Sequence, residues 1–522
     1  MPLFDPPPPA RAPELPDDAR LAARRAPAPG RLGDRFRTGV DDRVLDVYRR
    51  ARDPGDPFEL RDLWLGRVEC ELGRHGHRPW LAERWRSRPV LRTVHPDEVL
   101  SGAGTARFVK ELFNWFFRDD LYGDLRASAD VVLSGGAVDE QAWGLPGTLK
   151  DCVRFALAQD WYGYSDSRGR LPVREAVARY ENALLGREPY DAGNVALTMG
   201  GTMAVSSVAD FVLSSTAATA GVALCAVPNY PPLVEAVARR RPVRLVPLAS
   251  DGGETGLQPL IAALRPDTPL VLLQTVGNPT GAAVTEADLG RLVHAASPAT
   301  TVVLDECHEW LGPGRRCSPA RCAPNVVRVS SLSKNWSAPG LKIGWLLADP
   351  RFVAEYYEYA STTYGGPPSV LYTLVEVLAR MERWRVAGDG QLSGAHLAEF
   401  EPTYGLTGRH LQAAYDSYLA DRAGREDGLR VLRDAAVSGL SAVADVLRPH
   451  WSVNAAVRFA EWDDSYLCFR QLLRETGVSV LPGILTFCLS GSVVRVTSAR
   501  RWPELRAAIS RLQERAAVGT GG

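Results

Sequence analysis

A lysine at the end of one apolar run, an acid at the end of another and an asparagine in a turn after a third are residue types that could work together on one small molecule. Ser331-Leu332-Ser333-Lys334 holds the lysine, and Lys342 follows eight residues later inside Pro339-Gly340-Leu341-Lys342-Ile343-Gly344-Trp345. Val303-Leu304-Asp305-Glu306 holds the acid, with His308 three residues beyond Asp305. Gly277-Asn278-Pro279-Thr280-Gly281 holds the asparagine, and Met199-Gly200-Gly201-Thr202-Met203 and Pro228-Asn229-Tyr230-Pro231 lie upstream. A neutral lysine amine attacks carbonyls and moves protons, and its pKa shifts readily on burial. Glycines opening a helix offer backbone N–H groups to an anion. Taken singly, each piece has an ordinary reading: a surface lysine, a loop acid, a turn, a helix start. Their order argues otherwise. Each follows a predicted strand, and open α/β sheets place ligands at the carboxyl ends of their strands.

The elements that must position these residues are legible as alternation. Val222–Val227, Leu270–Gln274, Thr301–Leu304, Val326–Val329 and Ile343–Leu347 read as buried strands, and helical patterns separate most of them, as in a mostly parallel α/β sheet. This predicts a large domain over 191–380. A small α+β domain is expected from 130–190 and 423–518, with strand-like segments at Ala455–Phe459 and Val493–Thr497. Residues 1–34, rich in Pro, Ala and Arg, are expected to be disordered or loosely draped. Residues 35–129 form a helical N-terminal extension, with apolar residues at three- and four-residue intervals over Arg43–Arg52 and Thr105–Phe117. The aromatic run Phe108, Phe113, Trp115, Phe116, Phe117 fits a helix packed on the main body, with a substrate lid as the sharper reading. Polar, Gly-rich sequence near Ala387–Gly405 suggests that 381–422 is an insertion or mobile loop.

Composition narrows the function classes. The chain has 522 residues, with 61 Lys plus Arg against 61 Asp plus Glu, so no net charge points to nucleic acid or to an anionic membrane. No apolar run reaches the ~18 residues of a membrane span, and Met1–Gly30 lacks the apolar stretch of a signal peptide. Eight cysteines are scattered, and Cys317 and Cys322 lack the further ligands of a zinc site, so no metal is expected. Reduced thiols in the cytoplasm are the expected state.

The order and spacing of these motifs resemble the class I/II aminotransferases, the fold type I pyridoxal 5'-phosphate (PLP) enzymes with the aspartate-aminotransferase fold. The resemblance runs from about Leu133 to Thr497. It includes Tyr162-Gly163-Tyr164-Ser165-Asp166-Ser167-Arg168-Gly169, then Leu171-Pro172-Val173-Arg174-Glu175, Gly477-Val478-Ser479-Val480-Leu481-Pro482-Gly483 and Val494-Arg495-Val496-Thr497. It implies that Lys334 carries the cofactor and shuttles the substrate α-proton, and that Asp305 holds the pyridine nitrogen protonated. It further implies Asn278 on the phenolic oxygen, Tyr230 stacked on the ring, and Gly201, Thr202, Met203 and Ser331 on the phosphate. Arg495 would fork the substrate carboxylate, with Gly136 beside the substrate. Tyr164 would reach the phosphate of a neighbouring subunit, implying a homodimer with shared sites. Two positions depart from the pattern. Lys342 stands where the family has arginine, a point charge in place of a fork. His308 stands where the family has tyrosine, and could donate the same hydrogen bond when neutral, or titrate near neutral pH as an additional acid or base.

The resemblance implies an enzyme acting on an α-amino acid through an external aldimine and a carbanion. Transamination leads, in a specialised biosynthetic setting suggested by the extension and the two departures. The alternatives are β/γ-elimination, replacement, carbon-carbon bond formation or cyclisation, with S-adenosylmethionine or a similar amino acid as substrate, since the cyclopropane-forming plant synthases are similar in fold and motifs. A PLP-sensing transcription regulator is weighed last. Arg35–Leu125 carries no clear helix-turn-helix pattern and no basic face. A non-catalytic PLP fold would not need the full set of central residues.

Overall fold

The protein is described by a computed structural model covering residues 2–11, 13–27, 39–216, 220–251, 253–314 and 318–519. Seven strands form the main sheet: β1 Val195–Thr198, β2 Ala223–Val227, β3 Val243–Pro247, β4 Leu270–Gln274, β5 Thr301–Asp305, β6 Val326–Ser331 and β7 Gly344–Leu347. Their spatial order is β1-β7-β6-β5-β4-β2-β3. β7 alone is antiparallel to its neighbours. Every position of β2 and β4 is buried, because helices cover both faces of the sheet. The five predicted strands are present with ends shifted by a residue or two. β1 was implied only by the placing of the motif at 199–203 after a strand, and β3 was not foreseen. β3 lies at the sheet edge and leaves Arg244 exposed, which breaks its apolar run.

Register explains why distant motifs meet. Gln274 pairs with Asp305 across β4 and β5, and Asp305 pairs with Val329 across β5 and β6. Three carboxyl ends are therefore level, and the residues that follow them share one edge. β7 runs the other way, so the segment before it, with Lys342, returns to that same edge.

A second sheet orders Asp445–Leu447, Asn454–Arg458, Val494–Thr497 and Leu481–Pro482, all antiparallel. Val131–Val132 pairs in parallel with Val478–Ser479 and leads the chain toward Gly136. The 33-residue helix Gly408–Leu440 joins the halves of the molecule. Its Tyr415 and Tyr418 enter one core, and Leu429, Leu432 and Leu440 enter another. The boundary expected between 422 and 423 thus falls inside a continuous helix.

Two expectations change. Residues 381–422 are not a mobile loop: they complete the helix Tyr372–Ala387, add the turn Gly394–Leu397, and begin Gly408–Leu440. Trp384, Phe400 and Tyr404 are buried there and make edge-to-face contacts. The part of 1–34 that is described is ordered, while residues 1, 12 and 28–34 lie outside the described residues, as do 35–38 of the extension. Leu3 and Phe4 are buried, the Leu3 N–H donates to the Tyr404 carbonyl at 2.9 Å, and the helix Asp17–Ala23 packs on Gly408–Leu440. Composition signalled too little apolar surface for this segment to fold alone. A surface elsewhere in the chain supplies the burial.

Before the main sheet the chain forms helices, with Asp41 and Asp56 accepting backbone N–H groups at the starts of Asp42–Arg50 and Pro57–Leu72. Ala103–Trp115 buries Phe108, Val109 and Leu112, and continues into a wider π-helical segment, Phe116–Asp124. Among the described residues no helix is long and apolar enough to cross a membrane.

A buried charge network ties the carboxyl edge of the sheet to the body. Arg328 on β6, fully buried, donates to Glu306 through two bonds of 2.8 Å and to Glu181 of the helix Leu171–Leu185 at 2.8 Å. Arg321 bonds Glu286 at 2.6 Å and Glu309 at 2.8 Å and also meets Glu306. Glu306 follows Asp305 directly, and Arg328 stands three residues before Ser331. Replacing Arg328 by Leu removes the cation between two buried carboxylates. Urea unfolding should show a loss of about 3–5 kcal/mol. A loss below about 1 kcal/mol, ordinary for a point substitution, would show that the network is dispensable.

Candidate active site

Eleven of the residues singled out from the sequence line one cavity of about 340 Å³ at the carboxyl edge of the sheet: Lys334, Asp305, Asn278, Gly201, Thr202, Tyr230, His308, Ser331, Lys342, Arg495 and Gly136. Two do not. Met203 is half-buried in the first turn of the helix Gly200–Ser215, away from the wall. Tyr164 stands fully exposed outside the cavity.

Lys334 sits in the short helix Leu332–Asn335 after β6, and its Nζ donates to the Gly136 carbonyl at 2.8 Å. Burial and the nearby Arg495 cation push its pKa down to about 8. Arg495 lies on Val494–Thr497, an inner strand of the second sheet. Its Nη1 donates to Asn278 Oδ1 at 2.9 Å and its Nη2 to the Ser134 carbonyl at 2.8 Å, both neutral acceptors. Its Nε is buried without a partner. Burial lowers its pKa to about 10. A Cβ at Gly136, where φ is +63°, would stand 2.4 Å from Arg495 Nη2, so a side chain there would displace the guanidinium and glycine is favoured.

Asp305 is held by two donors. Gln274 Nε2 bonds Oδ2 at 2.8 Å, and the Cys307 N–H bonds Oδ1 at 3.1 Å. Ser331 Oγ lies 3.2 Å from Cys307 Sγ. A Cβ on Gly201 would come within 2.7 Å of that sulfur, so the helix start approaches Cys307 and Ser331 closely. Lys342 is exposed at the cavity margin in a left-handed conformation, φ +51° and ψ +51°. Such a backbone costs a non-glycine residue about 1–3 kcal/mol. Tyr230, after β2, is half-buried, and Phe113 of the extension meets its ring edge-to-face at 5.7 Å.

His308 is buried, with Nδ1 3.1 Å from Ser452 Oγ. Burial and the cations Lys334 and Arg495 drive its pKa down to about 3, so the ring stays neutral at working pH. The reading in which it titrates near neutral pH gives way. A hydrogen-bonding role remains open to it.

The donor set suits a phosphorylated, flat, partly anionic group. Helix-start amides, a hydroxyl and Lys342 lie together, and cationic side chains lack a full complement of anions. Gln274 Oε1 and Arg495 Nε are buried and unpartnered, and both residues line the cavity.

Sequence reading missed Gln274, Cys307 and the hydroxyl of Ser452. Gln274 carried a signal: it is the single polar residue closing the strand Leu270–Gln274. Ser452 comes from the segment between the strands Asp445–Leu447 and Asn454–Arg458 of the second sheet, and nothing in its local sequence announces its contact with His308. Phe113 and Phe117 also line the cavity, while Phe108 and Phe116 of the same run are fully buried and the helix packs on Pro231–Ala238.

Residues 105–385 match the family described as aminotransferase class I and II. A curated relative, L-aspartate:5-guanidino-3-methyl-2-oxopentanoate transaminase of Pseudomonas syringae pv. syringae, is 29% identical over 201 residues, 37% of this chain and 50% of that protein. The chain thus spans about half the length of that relative. Aromatic amino acid aminotransferase of Mycolicibacterium smegmatis is 28% identical over 302 residues, 53% of this chain and 80% of that protein. The solved structure of Thermus thermophilus aspartate aminotransferase with maleate superimposes with a TM-score of 0.61 at 21% identity, over 81% of this chain and 99% of that one, and shows that the folds are alike.

The chain has four lysines, Lys110, Lys150, Lys334 and Lys342, so each can be followed by peptide mass spectrometry after reaction with an amine-selective anhydride. Only the neutral amine reacts, and labelling of Lys334 should reach half its maximum near pH 8. Arg495→Leu removes a repelling cation and should move that midpoint upward. A midpoint in the unaltered protein near the ordinary lysine value of about 10.4 would remove the basis for a tuned amine.

Proposed function

Since the chain belongs to the class I and II aminotransferase family, we propose that it is a PLP-dependent aminotransferase acting on an α-amino acid. The observation that carries this reading is the pairing of Lys334 and Arg495 at one cavity, one amine tuned toward neutrality and one guanidinium with an unpartnered Nε. The first suits proton transfer near neutral pH, and the second suits a substrate carboxylate.

PLP, when bound, supplies a reactive carbonyl and a ring that draws electrons from the substrate α-carbon. Gly201 and Thr202 amides, Ser331 and Lys342 would hold its phosphate. Asp305, oriented by Gln274 and the Cys307 amide, would keep the proton on the ring nitrogen. Asn278 and neutral His308 would position the phenolic oxygen, and Tyr230 would cover one ring face. Lys334 Nζ would take the proton from the substrate α-carbon and hold it as an ammonium, ready to give it back as general acid in the same cavity. Arg495 would turn the substrate so that this proton faces the amine. Its bond to Asn278 couples substrate grip to cofactor position.

A homodimer is part of the proposal. Tyr162, Tyr164 and Leu171 are exposed together on one loop and helix start, a surface suited to a second copy. A cytoplasmic setting fits the seven described cysteines, all free thiols.

Adding an amino acid to the holoenzyme should convert the visible absorbance of lysine-bound cofactor to the amine form, and a keto acid should reverse it. Lys334→Ala should abolish the original band and lower turnover at least ~10²-fold, the scale of a lost general base. Retained turnover in that variant, or release of a side-chain fragment with the absorbance returning unchanged, would overturn transamination.

A further inference from the structure

Most of the cavity wall is polar or charged, but one side is not. Phe113, Phe117 and Leu233 form it, with the Tyr230 ring beside them. Phe113 meets Phe117 edge-to-face at 4.9 Å and Tyr230 at 5.7 Å, so three rings form one continuous apolar surface. The two phenylalanines are four residues apart and half-buried. Their neighbours Phe108, Leu112 and Phe116 are fully buried and anchor the helix. Two large apolar rings kept at a polar cavity, on a helix already secured by other residues, call for a ligand to cover them.

The wall is fixed on both sides of the cavity. Phe116 packs against Phe469 at 4.8 Å, and fully buried Asp120 accepts from Tyr466 Oη at 2.6 Å, tying the segment to the half of the molecule that carries Arg495. Arg78, from earlier in the extension, donates to Asp120 Oδ1 at 2.6 Å and to the Asp119 carbonyl at 3.0 Å. Toward the large domain, Ala103–Trp115 packs on the helix Pro231–Ala238 that begins after Tyr230. The rings therefore keep a set position relative to both Arg495 and Tyr230. The cations lining the cavity are Arg495, Lys334 and Lys342, each already assigned to a substrate carboxylate, a proton or a phosphate.

We propose that Phe113 and Phe117 determine substrate specificity, forming the side-chain pocket for an α-amino acid with a large apolar, above all aromatic, side chain. This rests on the aminotransferase reading and deepens it. A flat ring would complete the edge-to-face cluster, whereas an acidic side chain would face aromatic carbon.

The experiment is a spectroscopic titration of the holoenzyme with phenylalanine, leucine, alanine and aspartate, which yields a dissociation constant for each without requiring turnover. Phenylalanine should bind at least ~10-fold tighter than alanine or aspartate, as one good aromatic contact allows. Phe113→Ala and Phe117→Ala should each weaken phenylalanine ~10-fold and alanine less than about 2-fold, on the same scale of contact energy. Phe113→Leu should keep leucine binding while weakening phenylalanine, which separates lost ring contact from a disturbed helix. Phe58→Ala, on the exposed outer face of the extension, should change nothing. Equal losses for alanine and phenylalanine, or unchanged phenylalanine binding in both alanine variants, would overturn the proposal. So would aspartate binding as tightly as phenylalanine, with transamination itself left standing. A holoenzyme whose absorbance responds to no amino acid would overturn the functional reading and this inference together.

Discussion

Lys334 and Arg495 line one cavity, Arg495 buried and Lys334 half-buried, and no carboxylate among the described residues pairs with Arg495. Bringing like charges together in a low-dielectric space is costly, and the protein relieves it in two ways. It lowers the lysine pKa, and it offers neutral oxygens from Gly136, Ser134 and Asn278 to both cations. Neither fully offsets the charge. The remainder is what makes the cavity receptive to an anionic ligand, and the other site residues are arranged around that need.

Holding this arrangement requires rigidity at the carboxyl edge of the sheet. The network of Arg328, Glu306, Glu181 and Arg321 lies directly behind it and fixes β5, which ends in Asp305, and β6, which leads into the short helix of Lys334. Such a network is weak evidence for stability as such, because burying ions carries a large desolvation cost. Its value here is positional. The strained backbone of Lys342 is held at the same edge, where the surrounding packing can maintain a conformation that an isolated chain would leave.

The N-terminal part of the chain contributes more than covering. Its helices bury a conventional apolar face, yet Phe113 and Phe117 turn toward the cavity, and Asp120 joins Arg78 to Tyr466. The Pro-rich start docks through Leu3, Phe4 and Ala19 on surfaces made by residues about 400 positions away. The region around Trp384 and Tyr404 owes its order to aromatic contacts that polar, Gly-rich sequence did not suggest. In each case composition reported what a segment could bury by itself, while its conformation followed from what another segment offered.

The division between sequence and tertiary structure follows from the range of the forces involved. Local patterning was enough to place five strands, because strands buried on both faces must be continuously apolar. The polar residues ending those runs marked the site, because carboxyl ends of parallel strands are where side chains escape the core. Lys334, Asp305, Asn278, Tyr230 and Ser331 are legible in the sequence for that reason, and all five line the cavity. The edge strand with exposed Arg244, the neutral state of His308 beside Ser452, the grip of Gln274 on Asp305 and the aromatic wall from Phe113 and Phe117 were decided by tertiary structure alone. Each depends on the burial or approach of groups far apart in the chain, and no spacing along a sequence encodes a desolvation or an edge-to-face contact.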